Sequence, residues 1–287
     1  MKWRFILNPI SGGKPADIDS LGKAIFRNFP EADLRLTRHA GHATELAAEA
    51  AKENFDAVVA IGGDGTINET SRGLAGTQTA LGIIARGSGN GFAREIGMNL
   101  SPEEALVQLQ RAKPMLCDAG SANGELFLNV AGVGIEADVA WRFMEYGKRG
   151  MLPYFIIGTK TALTYKPKKL DITVDGKQET VAPLTLVFAN GRQYGSNFKI
   201  APEASLQDGL LDMVTVNDIP KWKITLAIPY FFTDKQRPFD VTSTERIKEA
   251  VISHKGEILY HIDGEPRKAT DRLEIKIIPQ ALRVLVP

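Results

Sequence analysis

The sequence predicts an α/β domain followed by a second domain that is rich in β-structure. Over residues 1–120, short apolar runs alternate with amphipathic stretches, which is the order expected of βαβ units with a mostly parallel sheet. From about Met115 onward, strand-like runs joined by Asn-Gly and Asp-Gly turns indicate antiparallel hairpins. We therefore expect an α/β domain over 1–120 and a β-rich domain over 121–287. The last strand is a candidate for returning to the first domain.

The first half supplies four predicted strands, each followed by a turn and most by a helix signal. The strands are the apolar runs at 3–7, 33–37, 56–61 and 80–85. The helices are predicted over 17–29, over 42–54, after Thr66, over 92–97 and over 101–110. The last helix opens with Ser101, Pro102 and Glu104, which predicts a capping box with proline at the first helical position.

The second half reads as a series of strands. Asn123-Gly124 and Asp175-Gly176 each lie between apolar runs, and both predict tight hairpin turns. Further strand-like runs follow as GLLDMVTV, EAVISH, EILYHIDGEP and LEIKIIPQALRVLVP. Helices are predicted over 136–164 and 221–232.

Composition narrows the class of protein. The chain has 287 residues, 44% hydrophobic and 24% charged, and a net charge of +1, which gives no reason to expect nucleic acid as a partner. Cys117 is the only cysteine, so an intrachain disulfide and a cysteine metal site are both excluded. The longest apolar candidate, ITLAIPYFF, is less than half of the about 20 residues that a membrane span needs. No signal peptide is recognised, and we expect a cytoplasmic protein that at most touches a membrane surface.

Glycine-rich turns follow three of the predicted strands, at NPISGGK (8–14), GGDGTIN (62–68) and ARGSGNGFAR (85–94). The carboxyl ends of parallel strands meet at one edge of a sheet, so backbone N–H groups of these turns could converge on anionic oxygens. The spacing fits neither a Walker loop nor a Rossmann fingerprint. Lys14, Arg86 and Arg94 are candidates for compensating phosphate charge.

An ordered set of motifs resembles the soluble diacylglycerol kinases and sphingosine kinases over nearly the whole chain. The motifs are NPISG (8–12), GGDGTINE (62–69), GSGNGFA (87–93), CDAG (117–120), NGRQYG (190–195), IAPEASLQDGLLD (200–212) and HIDGEP (261–266). The resemblance implies a three-layer α/β nucleotide-binding domain, an antiparallel β-sandwich domain, and an active site in the cleft between them. It implies ATP- and Mg²⁺-dependent transfer of phosphate to a lipid hydroxyl, with diacylglycerol as the default acceptor.

The same resemblance implies which residues hold the nucleotide. They are Asn8, Ser11, Gly12, Thr37, Gly62, Gly63, Asp64, Gly65, Thr66, Ile67, Asn68, Gly87, Ser88 and Asn90. Asp64 would act with magnesium at the phosphates, since Mg²⁺ prefers hard oxygen ligands and a lone carboxylate would repel a triphosphate.

Further acidic residues match the family's catalytic and metal positions. In HIDGEP, Glu265 matches the proposed proton acceptor, with Asp263 beside it. Asp118 matches another acidic position of the active-site network. Asp208, with the carbonyl groups of Ser205 and Leu210, matches a second, structural magnesium site. The four histidines show no metal-ligand spacing and are interpreted as structural or surface residues.

One departure from the family pattern leaves alternatives open. Diacylglycerol kinases typically have Asn-Asp-Phe where this chain has Asn90-Gly91-Phe92, and the sphingosine kinase branch also lacks that aspartate. The alternatives are a kinase of sphingoid bases or other long-chain lipid alcohols, an NAD kinase-like enzyme that shares the GGDG turn, and a nucleotide-binding regulator without chemistry. A basic run within 154–171 is a candidate for transient contact with anionic lipid, and a homodimer is left open.

Overall fold

The computed structural model describes residues 1–13, 16–146, 157–158, 160–161, 164–233 and 240–287. These residues form two compact units. The first unit contains Met1–Asp118 and Gln280–Pro287, and the second contains Ala119–Pro279.

The first unit alternates strands and helices. Its strands are β1 (Trp3–Leu7), β2 (Asp33–Leu36), β3 (Ala57–Gly62) and β4 (Ala80–Ala85). Its helices are α1 (Ile18–Asn28), α2 (His42–Lys52), α3 (Asp64–Leu74), α4 (Gly91–Glu95) and α5 (Pro102–Leu109), and a 3₁₀ turn covers Ser11–Gly13.

These strands form a parallel sheet in the order β2-β1-β3-β4. The end of the chain's last strand adds to it, because Val284 pairs in parallel with Leu81 of β4. All residues of β3 and β4 are buried, as expected for strands that are covered on both faces. The predicted α/β fold with a mostly parallel sheet is confirmed.

The second unit is mainly antiparallel. Its strands are β5 (Lys113–Ala122, which begins in the first unit), β6 (Glu125–Phe127), β7 (Val130–Gly134), β8 (Leu170–Val174), β9 (Lys177–Val181), β10 (Thr185–Ala189), β11 (Leu211–Val216), β12 (Thr242–Ile247), β13 (Glu249–Ser253), β14 (Ile258–Ile262), β15 (Glu265–Ala269) and β16 (Arg272–Val286). Its helices are α6 (Ile135–Tyr146) and α7 (Lys221–Ala227), and a 3₁₀ segment, Ile228–Phe232, follows α7.

Two groups of antiparallel strands enclose the core of this unit. One is a sheet in the order β12-β11-β10-β7-β14-β15, and the other runs β16-β13-β8-β9. Side chains from both groups, including Phe188 and Leu211 on one side and Ile252 and Ile275 on the other, form one buried apolar cluster. The predicted antiparallel sandwich is confirmed.

The hairpin turns predicted from Asn-Gly and Asp-Gly pairs are confirmed. Asn123-Gly124 connects β5 to β6, and Asp175-Gly176 connects β8 to β9. All four residues have positive φ angles, between 44° and 85°, which is the backbone conformation that a type I′ turn requires at both central positions.

Two predictions at helix starts were wrong. Helix α3 begins at Asp64, within the second glycine turn, whereas the prediction placed its start after Thr66. Helix α5 has Pro102 in its first turn as predicted, but Ser101 makes no capping bond. Its hydroxyl donates to Glu103 instead, and Glu104 accepts from Asn99.

Helix α6 ends at Tyr146, earlier than the helix predicted over 136–164, and much of that predicted range lies outside the described residues. The second predicted helix, 221–232, corresponds to α7 and the 3₁₀ segment. No helix among the described residues combines the length and the apolar character that a bilayer crossing needs.

Candidate active site

The three glycine turns of the first unit lie side by side at the carboxyl edge of its sheet. The amide of Asn8 donates to the carbonyl of Ile61 at 3.0 Å, which ties the turn after β1 to the end of β3. The amide of Arg86 donates to the carbonyl of Gly62 at 2.6 Å, which ties the turn after β4 to the same place. The predicted convergence of these turns is therefore present in the structure.

Glycine is required at the points where the turns touch. Gly12 has φ +82°, and a Cβ atom there would overlap the carbonyl oxygen of Arg86. A Cβ atom on Gly87 would lie 2.9 Å from the Cα atom of Gly63, closer than real Cβ contacts. The backbones of these turns approach each other without intervening side chains, which leaves main-chain groups to define the surface.

Asp64 joins the second turn to the third. It lies in the first turn of α3, and its Oδ2 and Oδ1 atoms accept the amides of Asn90 and Gly91 at 2.9 and 2.8 Å. Asn90 has a left-handed backbone, and its own side-chain oxygen accepts the amide of Gly87 at 2.7 Å. Gly91 thus meets Asp64 through its backbone. These two amides take up two of the roughly four acceptor positions that a carboxylate offers.

The side chains around these turns are polar and mutually bonded. Asn8 donates from Nδ2 to the hydroxyl of Thr66 at 3.0 Å, and Ser11, which is buried, donates from Oγ to the carbonyl of Asn8 at 2.9 Å. Thr37 directly follows β2, and its amide donates to the carbonyl of Leu7 at 2.9 Å.

The remaining predicted nucleotide residues lie on the same turns. Gly65, Ile67 and Asn68 belong to the first two turns of α3, where Ile67 and Asn68 are buried. Ser88 lies between Gly87 and Gly89 in the turn after β4.

Arg86 is one of the three cations predicted to compensate phosphate charge. The Nη1 atom of Arg86 is buried and has no hydrogen-bond partner within the described part of the chain. Arg94 is engaged differently, since its Nε atom donates to the carbonyl of Gly89 at 3.3 Å. Lys14, the third predicted candidate, lies outside the described residues.

Asp118 lies on β5, with 2% of its surface exposed. Its Oδ1 atom accepts the amide of Gln280 at 2.7 Å, so it anchors the returning end of β16 within the first unit. Beside it, burial and then the charge of Asp118 raise the pKa of the Cys117 thiol to about 12.

In the second unit, Asp263 and Gly264 form the turn between β14 and β15, with φ angles of 48° and 86°. The carboxylate of Asp263 accepts three consecutive amides, those of Leu128, Asn129 and Val130, at 2.8, 2.9 and 3.0 Å. Its amide also donates to the carbonyl of Val130 at 2.9 Å. Asp263 therefore fixes this turn to the segment between β6 and β7.

Glu265 is the first residue of β15, and half of its side chain is exposed. Its Oε2 atom accepts from Nη2 of Arg267 at 3.0 Å. The same Nη2 donates to Oε1 of Glu125 at 2.7 Å, and Nε of Arg267 donates to Oε2 of Glu125 at 2.9 Å. Hydrogen bonds to Glu125, and less strongly to Glu265, raise the pKa of the Arg267 guanidinium despite its partial burial. Arg267 is thus a permanent cation that orients Glu265 while water still reaches the carboxylate.

The second predicted metal site is a turn before β11. Asp208 accepts the amide of Leu210 at Oδ1 at 3.1 Å, and the hydroxyl of Ser205 accepts the amide of Gln207 at 3.3 Å. The structure thus brings Asp208 and Leu210 together in one tight turn.

The structure also groups His39, His42 and Glu45, whose ligand atoms lie within 4.8 Å of one another around the start of α2. Their sequence spacing did not suggest this. However, Nδ1 of His42 accepts the amide of Arg38 at 3.0 Å, which places the ring proton on Nε2 and opposes metal ligation there.

Comparison with known proteins gives the same account of both units. The model of the diacylglycerol kinase catalytic domain matches residues 2–122, and the YegS C-terminal NAD kinase beta sandwich-like domain matches residues 129–286. The chain is 33% identical to "Diacylglycerol kinase" of Bacillus subtilis, covering 74% of this chain and 72% of that one. It is 31% identical to "Probable lipid kinase YegS-like" of Pseudomonas putida, covering 89% and 85%. A crystal structure of a diacylglycerol kinase from Bacillus anthracis shares the fold with a TM-score of 0.75 at 22% identity, covering 100% and 97%.

Proposed function

Since this chain belongs to the diacylglycerol kinase family of lipid kinases, we propose that it transfers the terminal phosphate of ATP to the hydroxyl group of a lipid. The observation that supports this most directly is the meeting of three glycine turns at one edge of the parallel sheet. Asp64 joins the second turn to the third, and the amide of Asn8 ties the first turn to the end of β3. Phosphoryl transfer depends mainly on positioning and on neutralising the oxygens of the transferred group, and these turns supply both.

We propose that ATP binds over these turns, within a nucleotide-binding domain spanning residues 1–120. The close contact of Gly63 with Gly87 excludes side chains from this surface, so phosphate oxygens can reach backbone amides. Arg86 belongs to the turn after β4, and its Nη1 atom has no hydrogen-bond partner among the described residues, so we propose that it supplies a cation to the phosphates. Asn8 and Thr66, bonded to each other, give the edge of this surface a fixed polar arrangement.

The carboxylates of the first unit fit a magnesium ion by their chemistry. Asp64 and Asp118 supply hard oxygen donors, and hydrogen bonds from the backbone orient both carboxylates. We propose that Asp64 holds Mg²⁺, with Asp118 in the surrounding acidic network; the bound ion would neutralise charge on the phosphate oxygens. The turn of Ser205, Asp208 and Leu210 offers one carboxylate and backbone carbonyls, and we propose it as a structural site for the same ion.

Glu265 is the proposed general base that takes the proton of the acceptor hydroxyl. Its carboxylate is half exposed and is oriented by Arg267, so it can accept a proton while staying in one conformation. Asp263 already accepts three backbone amides, and we propose that its part is to hold the turn on which Glu265 lies.

Diacylglycerol is the proposed acceptor because curated relatives carry that name. The alternative is a sphingoid base or another long-chain lipid alcohol. The reason for this alternative is Gly91. Its amide donates to Asp64, whereas diacylglycerol kinases typically have an aspartate at this position, which supplies a further carboxylate. Because either lipid resides in a bilayer, we also propose transient contact with a membrane surface.

The experiment is a transfer assay with the purified full chain, ATP labelled at the γ-phosphate and magnesium. Diacylglycerol, sphingosine, a prenyl alcohol and NAD are each offered, the lipids in mixed micelles. Label in phosphatidic acid is the expected result, and label in another lipid alcohol selects the alternative acceptor. Label in NAD alone, or in no acceptor while the protein still binds ATP, would overturn the proposal.

A further inference from the structure

Next to the turn that carries Glu265, three polar side chains from distant parts of the chain meet, one of them buried and two partly buried. Tyr194 donates its hydroxyl proton to Oε2 of Glu136, which lies on α6. The other carboxylate oxygen, Oε1, lies 3.4 Å from Nε2 of His261 on β14. His261 is 2% exposed, and the rings of Tyr194 and His261 are 5.9 Å apart.

The backbone leaves room for this group at Gly132. Gly132 pairs with His261 across β7 and β14. A Cβ atom on Gly132 would overlap Oε1 of Glu136 and would lie 2.9 Å from Nε2 of His261. Any larger residue at this position would separate the carboxylate from the imidazole.

The proton on the ring can be placed from its neighbours. Nδ1 of His261 accepts the amide of Gly264 at 3.3 Å, so in the neutral ring the proton must lie on Nε2. Nε2 then faces the carboxylate of Glu136, which favours this tautomer. Apart from each other, neither Oε1 of Glu136 nor Nε2 of His261 has a polar partner among the residues that the structure describes.

Gly264 lies between Asp263 and Glu265 in the hairpin turn. One side of the turn is held by the carboxylate of Asp263, which accepts the amides of residues 128–130. The other side is held by Nδ1 of His261. A shift of about 1 Å in a reacting group can cost about 100-fold in rate, so losing the second anchor can matter even while the first one holds.

We propose that Glu136, itself held by Tyr194, fixes the tautomer of His261 and thereby positions the Asp263–Glu265 turn. Glu136, Tyr194 and His261 are positioning residues in this account, because they act through the amide of Gly264 and do not touch the substrate. The catalytic consequence rests on the proposed role of Glu265, whereas the control of the tautomer does not.

The first test reads the tautomer directly. Long-range proton–nitrogen NMR spectra of the ¹⁵N-labelled full chain at pH 7.5 should show His261 with its proton on Nε2. Glu136→Gln can accept through its oxygen or donate through its amide, so a mixture of tautomers and faster exchange of the Gly264 amide are expected. Tyr194→Phe, which keeps the ring, should produce a smaller change in the same direction. His254→Asn is the matched control, since His254 contacts the carbonyl of Lys169 and should leave Gly264 unchanged.

The second test is a double-mutant cycle in the transfer assay. Glu136→Gln should lower kcat about 10-fold with an unchanged KM for ATP, because only the position of the base is altered. His261→Asn retains an acceptor for Gly264 but has no tautomer to fix, and in that background Glu136→Gln should change kcat less than about 2-fold.

The outcomes separate the two proposals. Equal effects of Glu136→Gln in both backgrounds, or an unchanged tautomer and an unchanged Gly264 amide, would overturn the positioning role. A wild-type protein that phosphorylates no lipid would overturn the proposed function instead, and the NMR arm would still decide the tautomer.

Discussion

Replacing Asp263 with asparagine should strongly weaken the hydrogen bonds that hold the segment after β6. The same replacement at Asp175 should have a much smaller effect on the amides that Asp175 holds. Both aspartates occupy the first position of an Asp-Gly hairpin turn, with φ angles of 48° and 44°. Asp263 uses both oxygens, Oδ2 for the amide of Leu128 and Oδ1 for the amides of Asn129 and Val130. Whichever way an asparagine turns, its NH₂ group faces at least one of these amides.

The magnitude follows from burial. Leu128, Asn129 and Val130 are each at most 3% exposed, so water cannot replace a lost acceptor. Losing a hydrogen bond to a charged group costs about 1.5–3 kcal/mol, and a buried amide left unsatisfied adds about 1–3 kcal/mol. We expect a local cost of about 3–5 kcal/mol. At Asp175, Oδ1 accepts the amides of both Lys248 and Glu249 in an exposed setting, and Oδ2 is a second acceptor for Lys248 at 3.3 Å. An asparagine can keep both bonds to Oδ1, so this variant should cost less than about 1 kcal/mol.

Amide hydrogen exchange is the suitable assay because it reports on single residues. The two compact units need not unfold together, and a single midpoint of unfolding would then combine their stabilities. The Leu128 amide should exchange about 100- to 4000-fold faster in Asp263→Asn, if it exchanges by local opening, since each 1.4 kcal/mol is about tenfold. Asp175→Asn should leave the exchange at Leu128 unchanged and alter the amide of Lys248 only slightly. Equal, small effects of both variants would refute the reasoning that the carboxylate of Asp263 holds this turn.

Other predictions concern the glycine turns, the cysteine and the base. Gly12→Ala should weaken ATP binding in a titration and lower the melting temperature more than Gly41→Ala, because both have φ near +82° but only Gly12 lies against the carbonyl of Arg86. Burial raises the pKa of Cys117 to about 12, above that of an unfolded thiol, so the folded protein should resist maleimide at pH 8 and lose stability as pH rises from about 9 towards 12; rapid labelling of the native protein would contradict this. Glu265→Gln should lower kcat at least about 100-fold with little change in the KM for ATP, and unchanged turnover would place the base elsewhere.

Local turn chemistry could be read from the sequence. Asn123-Gly124 and Asp175-Gly176 form the hairpins that their residues predict, because positive φ angles at both positions select these pairs. Capping was less predictable. Ser101 had other acceptors within reach, and its bond to Glu103 displaced the expected box, which shows competition among neighbouring polar groups.

Long-range contacts could not be read from the sequence. The glycine turns were predicted to converge, but no local signal shows that Asp64 accepts the amides of Asn90 and Gly91. The contact of Tyr194 with Glu136 spans 58 positions of sequence. Such contacts depend on which strands pair, and that is fixed only by the complete sheet.

The most direct test of the central claim is transfer of labelled γ-phosphate from ATP to lipid by the wild-type protein and by Asp64→Asn. The asparagine keeps the size of the side chain and one acceptor for the turn at Asn90, but it removes the charge. The account predicts labelled lipid with the wild-type protein and a loss of at least about 100-fold in the variant, assayed at a temperature where both proteins are folded, because the amide that loses its acceptor should lower the melting temperature of the variant. Equal labelling by the two proteins would contradict it.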